Sequence, residues 1–264
     1  MATASQPDLA GLRVLVTRPV ERSAELVAAL TAAGAKVLAQ PLLNIAPLTA
    51  PHHEAELQRS RQLFMNLDCY QHLIFISVNA VSYGIEAIEQ FWPQWPVGVK
   101  VHAIGAATAA ALAARQIDVD TVDNVAMNSE SLLANPVLQR LQGQKVLIVR
   151  GLGGREYLAE QLAARGAQVD YAECYQRLSP ALDREQFHTL LRRQDINIVC
   201  VNSGETLHYF HSLLQDAALS YRVLVPGERV ASLAVALGFT QVIQAENAGT
   251  AATLAALRLC EQIN

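Results

Sequence analysis

Six segments in this chain follow apolar runs and end in residues able to do chemistry. They are Thr17-Arg18-Pro19, Ser77-Val78-Asn79, Gly105-Ala106-Ala107-Thr108, Arg150-Gly151, Asn202-Ser203-Gly204 and Pro226-Gly227-Glu228-Arg229. Nearly all set glycine or another small residue beside a hydroxyl, an amide or a guanidinium. If each apolar run is a strand and each following segment a helix, the six lie at strand carboxyl ends, where ligands bind in open parallel sheets. Helix N-termini there present unpaired N–H groups, and each favours an anion by about 0.3–1 kcal/mol. The chemistry implied is the capture of a ligand carrying many negative groups. Ser, Thr and Asn are equally the ordinary N-cap residues, and spacing alone leaves both roles open.

Tyr175 stands apart from these tips, in an extended stretch with no amphipathic pattern that demands a buried aromatic. A phenol can donate a proton or a hydrogen bond to a departing oxygen, and it can as well be a packing residue at a hinge. Other chemistries find less support. RGLGGREY (150 to 157) follows a strand and opens a helix, but Glu156 stands where the third glycine of G-x-G-x-x-G would fall, although Glu173 is placed as a ribose-binding acid would be. No Walker A motif occurs and no nucleophile elbow. His208 with His211, and His52 with His53, have metal-compatible spacing but no carboxylate or thiolate partner at a recognisable distance along the chain, so no metal is expected.

The elements that must position these residues follow from an alternation of short apolar runs with segments of helical period, the pattern of parallel sheets covered on both faces. Strands are expected at 12–17, 36–39, 72–76, 99–103, 120–122, 145–149, 167–171, 197–201, 222–225 and 240–244. Helices are expected at 21–33, 53–66, 79–90, 105–115, 129–141, 153–165, 183–193, 204–214, 228–237 and 250–262. Gly34, Gly166 and Gly238 end helical runs, where a left-handed residue suits glycine. Trp92 and Trp95, in a Pro-rich connection, read as covers on a local core.

The chain also resembles itself. RVLVTRPVERSAELVAALTAAGAKV (13 to 37) aligns without a gap on KVLIVRGLGGREYLAEQLAARGAQV (145 to 169), an offset of 145 − 13 = 132, half of the 264 residues. Weaker echoes follow in the same order, IFISVNAV with VCVNSGET and VHAIGAATAAALAA with VLVPGERVASLAVA. Two similar α/β units are expected, and a cleft between them is the natural place for a small molecule. AQPLLNIAPL (39–48) and YAECYQRLSP (171–180) break the alternation at equivalent places and read as paired extended linkers. A discontinuous first lobe (1–40 with 174–264) and a second lobe (41–173) follow, with a simple split near residue 143 as the alternative.

Formal net charge is −4 with Lys plus Arg numbering 20, which argues against nucleic-acid or anionic-membrane partners. The four cysteines form no C-x-x-C, so neither zinc nor a disulfide framework is indicated, and a reducing cytoplasmic setting is the simplest reading. MATASQPDLAG lacks a basic segment followed by an apolar core, and no stretch approaches about 18 apolar residues. A soluble protein is expected.

Taken together, VLVTRP (14–19), HLIFISVNAV (72–81), AIGAATAAAL (103–112), VLIVRGLGGRE (146–156), YAECYQR (171–177), VCVNSGET (199–206) and VLVPGERVA (223–231) resemble the uroporphyrinogen-III synthase family. The resemblance implies two flavodoxin-like or Rossmann-like lobes joined by a two-stranded linker. It implies a lyase that, with no cofactor, cyclises the linear tetrapyrrole hydroxymethylbilane with loss of water and inversion of ring D. On this resemblance Tyr175 matches a linker tyrosine that assists departure of the hydroxyl, and Thr108 a threonine that contacts substrate. The chain departs from the family where many members have G-P-T-T-A: here Gly227-Glu228-Arg229-Val230-Ala231 lacks both threonine hydroxyls and offers Arg229 to a carboxylate. The candidate substrate contacts are Thr17, Arg18, Ser77, Val78, Asn79, Gly105, Thr108, Arg150, Gly151, Asn202, Ser203, Gly204, Gly227 and Arg229. The polycarboxylate substrate is the sole partner expected, the chain acting as a monomer. A non-enzymatic anion-binding module is the alternative, and a dinucleotide-dependent oxidoreductase a weaker one.

Overall fold

A computed structural model describes residues 9–120, 128–154 and 156–262. The chain separates into two compact units, Met1–Asn44 with Leu178–Asn264, and Ile45–Arg177. It opens with β1 (Arg13–Val16), α1 (Val20–Ala32) and β2 (Lys36–Ala39), and reaches the second unit through β3 (Asn44–Pro47). There follow α2 (Glu54–Met65), β4 (His72–Phe75), α3 (Val78–Glu89), β5 (Lys100–Ala103), α4 (Ala106–Ala113), α5 (Ser129–Leu133), β6 (Lys145–Gly151), α6 (Tyr157–Ala164) and β7 (Gln168–Leu178). The return to the first unit adds α7 (Arg184–Arg193), β8 (Ile198–Cys200), α8 (Gly204–Leu214), β9 (Arg222–Pro226), α9 (Gly227–Ala236), β10 (Val242–Ala245) and α10 (Thr250–Gln262).

Each unit holds one five-stranded sheet. The first has the order β10-β9-β8-β1-β2, with all five strands parallel; the second has the order β3-β7-β6-β4-β5, with β7, β6, β4 and β5 parallel. The internal repeat is visible in the pairings themselves. Arg13 pairs with Lys36 in the first sheet, and Lys145 with Gln168, their counterparts 132 positions on, in the second. Strands β9-β8-β1-β2 therefore correspond to β5-β4-β6-β7.

Strand side chains alternate between faces, so a strand covered on both sides must be apolar at every position. In the second unit Leu73, Phe75, Leu147 and Val149 feed one core and Ile74, Val146 and Ile148 the other. In the first unit Leu15, Val199 and Val223 face one core while Val14, Ile198 and Leu224 face the other. Helices break where expected: Gly34, Gly166 and Gly238 follow helix ends with φ of 93°, 94° and 95°, values open to glycine at little cost. Trp92 and Trp95 pack against the second unit's core.

Two expectations need correction. The helix expected at 129–141 stops at Leu133 and resumes only as a 3₁₀ turn, Pro136–Leu138, because Asn135, next to proline, is held out of the helical region with ψ 125°. The helix expected from 153 begins at Tyr157, and β6 runs on to Gly151, so Arg150 and Gly151 belong to the strand rather than to a turn beyond it. The stretches 39–48 and 171–180 are extended, as expected from their residues, and contain strand β3, at the edge of the second sheet, and most of β7 beside it. The strand expected at 120–122 falls almost wholly outside the described residues.

Candidate functional site

In the second unit the site is organised by a β-bulge. Arg150 on β6 pairs with Glu173 on β7, but the next residue, Gly151, pairs with Tyr175, leaving Cys174 as the extra residue. Side chains of Val169 and Tyr171 lie on one face of the sheet and Ala172 on the other. Regular alternation would put Tyr175 beside Tyr171. The bulge turns it to the opposite face, re-aiming a side chain next to a strand end.

Turned this way, Tyr175 is 2% exposed and stacks on Tyr83 with ring centroids 5.7 Å apart. Its hydroxyl lies 3.0 Å from Ser77 Oγ. Ser77 is the N-cap of α3, and its Oγ accepts the Ala80 N–H at 3.0 Å. Gly151 completes the arrangement by having no side chain: a Cβ there would lie 2.6 Å from the Tyr175 ring. Three residues from separate parts of the sequence thus meet around one phenol, with Val78 and Asn79 in the first turn of α3 beside them.

At the neighbouring tip Gly105 is the N-cap of α4 with φ 90°, and Thr108 in the first turn is buried. Arg150 is 3% exposed and already engaged. Its guanidinium donates to the Gly153 and Gly151 carbonyls, pairs with Glu156 Oε1 at 3.2 Å and lies over the Tyr171 ring at 4.4 Å. Tyr171 in turn donates to Glu156 Oε2 at 2.6 Å, and burial, reinforced by that bond, pushes its phenol up to about 12. Arg150 therefore pins the loop after β6. That loop, with Asn128, Ser129, Tyr157 and Arg177, borders a cavity of about 410 Å³.

In the first unit, Thr17 is 0% exposed and its hydroxyl donates to the Cys200 carbonyl at 2.7 Å, tying the ends of β1 and β8 together. Arg18 follows it, donating to the Ala248 carbonyl, and burial lowers its pKa. Arg18, Asn202, Pro226, Asn247 and Ala248 surround one small hollow, into which Cys200 also faces, its thiol pushed up by burial to about 12 and so held protonated. Asn202 Oδ1 is buried without a hydrogen-bond partner. Ser203 caps α8, accepting the Thr206 N–H at 3.1 Å. Gly204 leaves room beside Leu233 and Arg229: a Cβ there would lie 2.9 Å from Leu233 Cδ2 and 3.7 Å from Arg229 Nη1. Gly227 opens α9 with φ 69°, and Arg229 is exposed two residues on.

The structure thus brings Ser77, Gly151 and Tyr175 together in the second unit, and Arg18 and Asn202 in the first. Thr17, Arg150 and Gly151 serve structure at their positions. Sequence reasoning missed Tyr83 and Tyr171, whose roles depend on packing across the sheet, and weighed Glu156 and the glycines of GLGG, of which Gly153 and Gly154 have φ of 67° and 111°, only against a dinucleotide fingerprint. It also missed a buried histidine pair at the opposite end of the second sheet, His72 Nδ1 lying 2.9 Å from His102 Nε2. Among the described residues no group of three or more His, Cys, Asp or Glu is placed to hold a metal ion, and no helix is long and apolar enough to cross a membrane.

Two largely parallel five-stranded sheets, with helices capped at their strand ends and a serine-tyrosine pair beside one of them, define a protein of the mixed α/β class. The family profile described as "Uroporphyrinogen-III synthase HemD" matches residues 24–255. Uroporphyrinogen-III synthase of Escherichia coli (strain K12) is 33% identical over 252 residues, covering 94% of this chain and 100% of that protein. The protein of the same name from Salmonella typhimurium (strain LT2) is 33% identical over 259 residues, with the same coverage. The crystal structure of a mutant uroporphyrinogen III synthase from Thermus thermophilus matches with a TM-score of 0.62 at 18% identity, over 96% of this chain and 100% of that one, a likeness of fold. The chain belongs to the uroporphyrinogen-III synthase family.

Proposed function

We propose that this protein is a cyclising hydro-lyase that converts hydroxymethylbilane to uroporphyrinogen III, with loss of water and inversion of ring D, in tetrapyrrole biosynthesis. The observation that carries the reading is the family match across residues 24–255, which includes every strand tip from Ser77 to Arg229 named above. The chemistry suits such residues. A pyrrole nitrogen expels hydroxide from the adjacent carbon, leaving an azafulvenium cation, so the protein needs chiefly to fold the substrate and to assist the leaving group. Orientation of an intramolecular reaction supplies about 7–11 kcal/mol, and acid assistance about 10²–10⁴-fold.

In this reading Tyr175 supports departure of the hydroxyl. The substrate carboxylates are held by Arg18, by Arg229, by the side chain of Asn202, and by main-chain N–H groups at Ser77–Asn79, Gly105–Thr108, Asn202–Gly204 and Gly227. Charge-assisted hydrogen bonds contribute about 1.5–3 kcal/mol each, so a few suffice in a protein of net charge −4. The extended stretches 39–48 and 171–180 serve as the two-stranded linker of two lobes. The protein works as a cytoplasmic monomer with no cofactor, and the tetrapyrrole is its one partner.

Incubation of purified protein with enzymatically generated hydroxymethylbilane, with no nicotinamide or metal added, is expected to give the type III isomer. Formation of the spontaneous type I isomer alone would refute the proposal. It would return the chain to the class of anion-binding modules.

A further inference from the structure

Tyr175 and Ser77 share one hydrogen bond, and its direction follows from counting donors and acceptors. Tyr175 is 2% exposed, and Ser77 Oγ is the one hydrogen-bonding partner of its hydroxyl among the described residues. Were Ser77 the donor, the phenolic hydrogen would be a buried donor without a partner, at a cost about twice what such a bond contributes. Tyr175 therefore donates to Ser77. A serine hydroxyl has two acceptor sites and one hydrogen. The Ala80 N–H fills one acceptor site at 3.0 Å and the Tyr175 O–H the other, also at 3.0 Å. What remains is the Ser77 hydrogen, on the member of the pair that is partly exposed.

Resting on the cyclisation reading above, we infer that Ser77 is the residue that touches the departing hydroxyl, and that Tyr175 acts through it as a proton reserve. As the carbon–oxygen bond of the hydroxymethyl group breaks, the pyrrole nitrogen pair forms the carbon–nitrogen double bond. The leaving oxygen takes the Ser77 proton, Ser77 takes the proton of Tyr175, and water departs, leaving the cation balanced by a tyrosinate. When ring closure later releases a proton from the newly bonded ring, the same two hydroxyls carry it back to Tyr175. The net change is loss of one water. The sequence shows this serine only as an N-cap, and the pairing with a residue 98 positions away turns it into a relay.

The test is the rate of type III isomer formation in a set of variants whose folds are checked by thermal unfolding. Ser77→Asn retains an acceptor for the Ala80 N–H but has no hydroxyl to pass a proton, and it is expected to slow turnover by about 10²-fold with KM little changed. Ser77→Thr, which keeps both cap and hydroxyl, is expected to restore most of the rate. Tyr175→Phe should cost less than Ser77→Asn, and the double variant no more than Ser77→Asn alone. A proton inventory in mixed light and heavy water should be curved for the native protein, with two protons in flight, and linear for Tyr175→Phe. Ser77→Asn turning over at the native rate, losses that multiply in the double variant, or a linear native inventory would each overturn the relay while leaving the cyclisation reading intact. Native protein that yields the type I isomer alone overturns both.

Discussion

Replacing Gly151 by alanine puts a methyl group where the Tyr175 ring already stands. The new Cβ would lie 2.6 Å from Cε2 and 2.8 Å from Cζ, against an ordinary contact of at least 3.4 Å, so about 3.4 − 2.6 = 0.8 Å must be found. The ring is backed by Tyr83 and its hydroxyl is tied to Ser77 at 3.0 Å. Any sideways escape of that size stretches the Ser77 bond towards its breaking distance. Overpacking in a core costs about 1–3 kcal/mol, and a buried phenol left unpaired costs about 1–3 more. The sum, about 2–6 kcal/mol, corresponds to a fall in melting temperature of roughly 5 °C or more for a chain of this size. Calorimetric unfolding measures the first consequence. Type III isomer formation measures the second, a fall in turnover comparable to that of Tyr175→Phe. The clash is with one ring, so Gly151→Ala placed in a Tyr175→Leu background should add little further cost. Equal destabilisation in both backgrounds, or native stability and turnover in the single variant, would refute the packing argument.

Other outcomes follow from the same geometry. Burial, then repulsion from His72, holds His102 down at about 4 in the folded state against 6.5 when free. The unfolded chain therefore binds a proton that the folded chain refuses between those values. Stability should be flat above pH 6.5, fall by about 3 kcal/mol as pH drops towards 4, and level off below, with a visibly shallower decline in His102→Gln; an identical acid limb in that variant contradicts the assignment. Arg18→Ala should weaken affinity for the tetrapyrrole product by about 10- to 100-fold with little change in melting temperature, whereas Arg150→Ala should lower the melting temperature by releasing the loop it pins; titration and unfolding curves that reverse this pattern would reverse the two roles. Ser203→Ala should cost about 1 kcal/mol through loss of the α8 cap, measured by denaturant unfolding.

Much of the architecture was legible in the amino-acid order because it is local. Alternating apolar runs marked the strands, glycine marked the ends of α1, α6 and α9, and the offset of 132 announced one unit built twice, down to the pairing of Arg13 with Lys36 and of Lys145 with Gln168. Tip residues could be named in advance, since small and polar residues after an apolar run stand out by type alone. Their duties could not. Thr17 and Arg150 look alike in sequence to any anion-binding hydroxyl or guanidinium, yet one is spent on the Cys200 carbonyl and the other on the Gly153 carbonyl and Glu156.

Only the tertiary structure decided which face Tyr175 occupies. The sequence places a tyrosine in an extended segment, and side-chain alternation from Val169 would send it to the Tyr171 face; one unpaired residue at Cys174, a feature of pairing between strands, sends it to the other. A period-two pattern is a property of one strand, whereas a bulge is a property of two. The glycine that receives the ring and the serine that receives its proton lie 24 and 98 residues away, distances over which no local propensity acts.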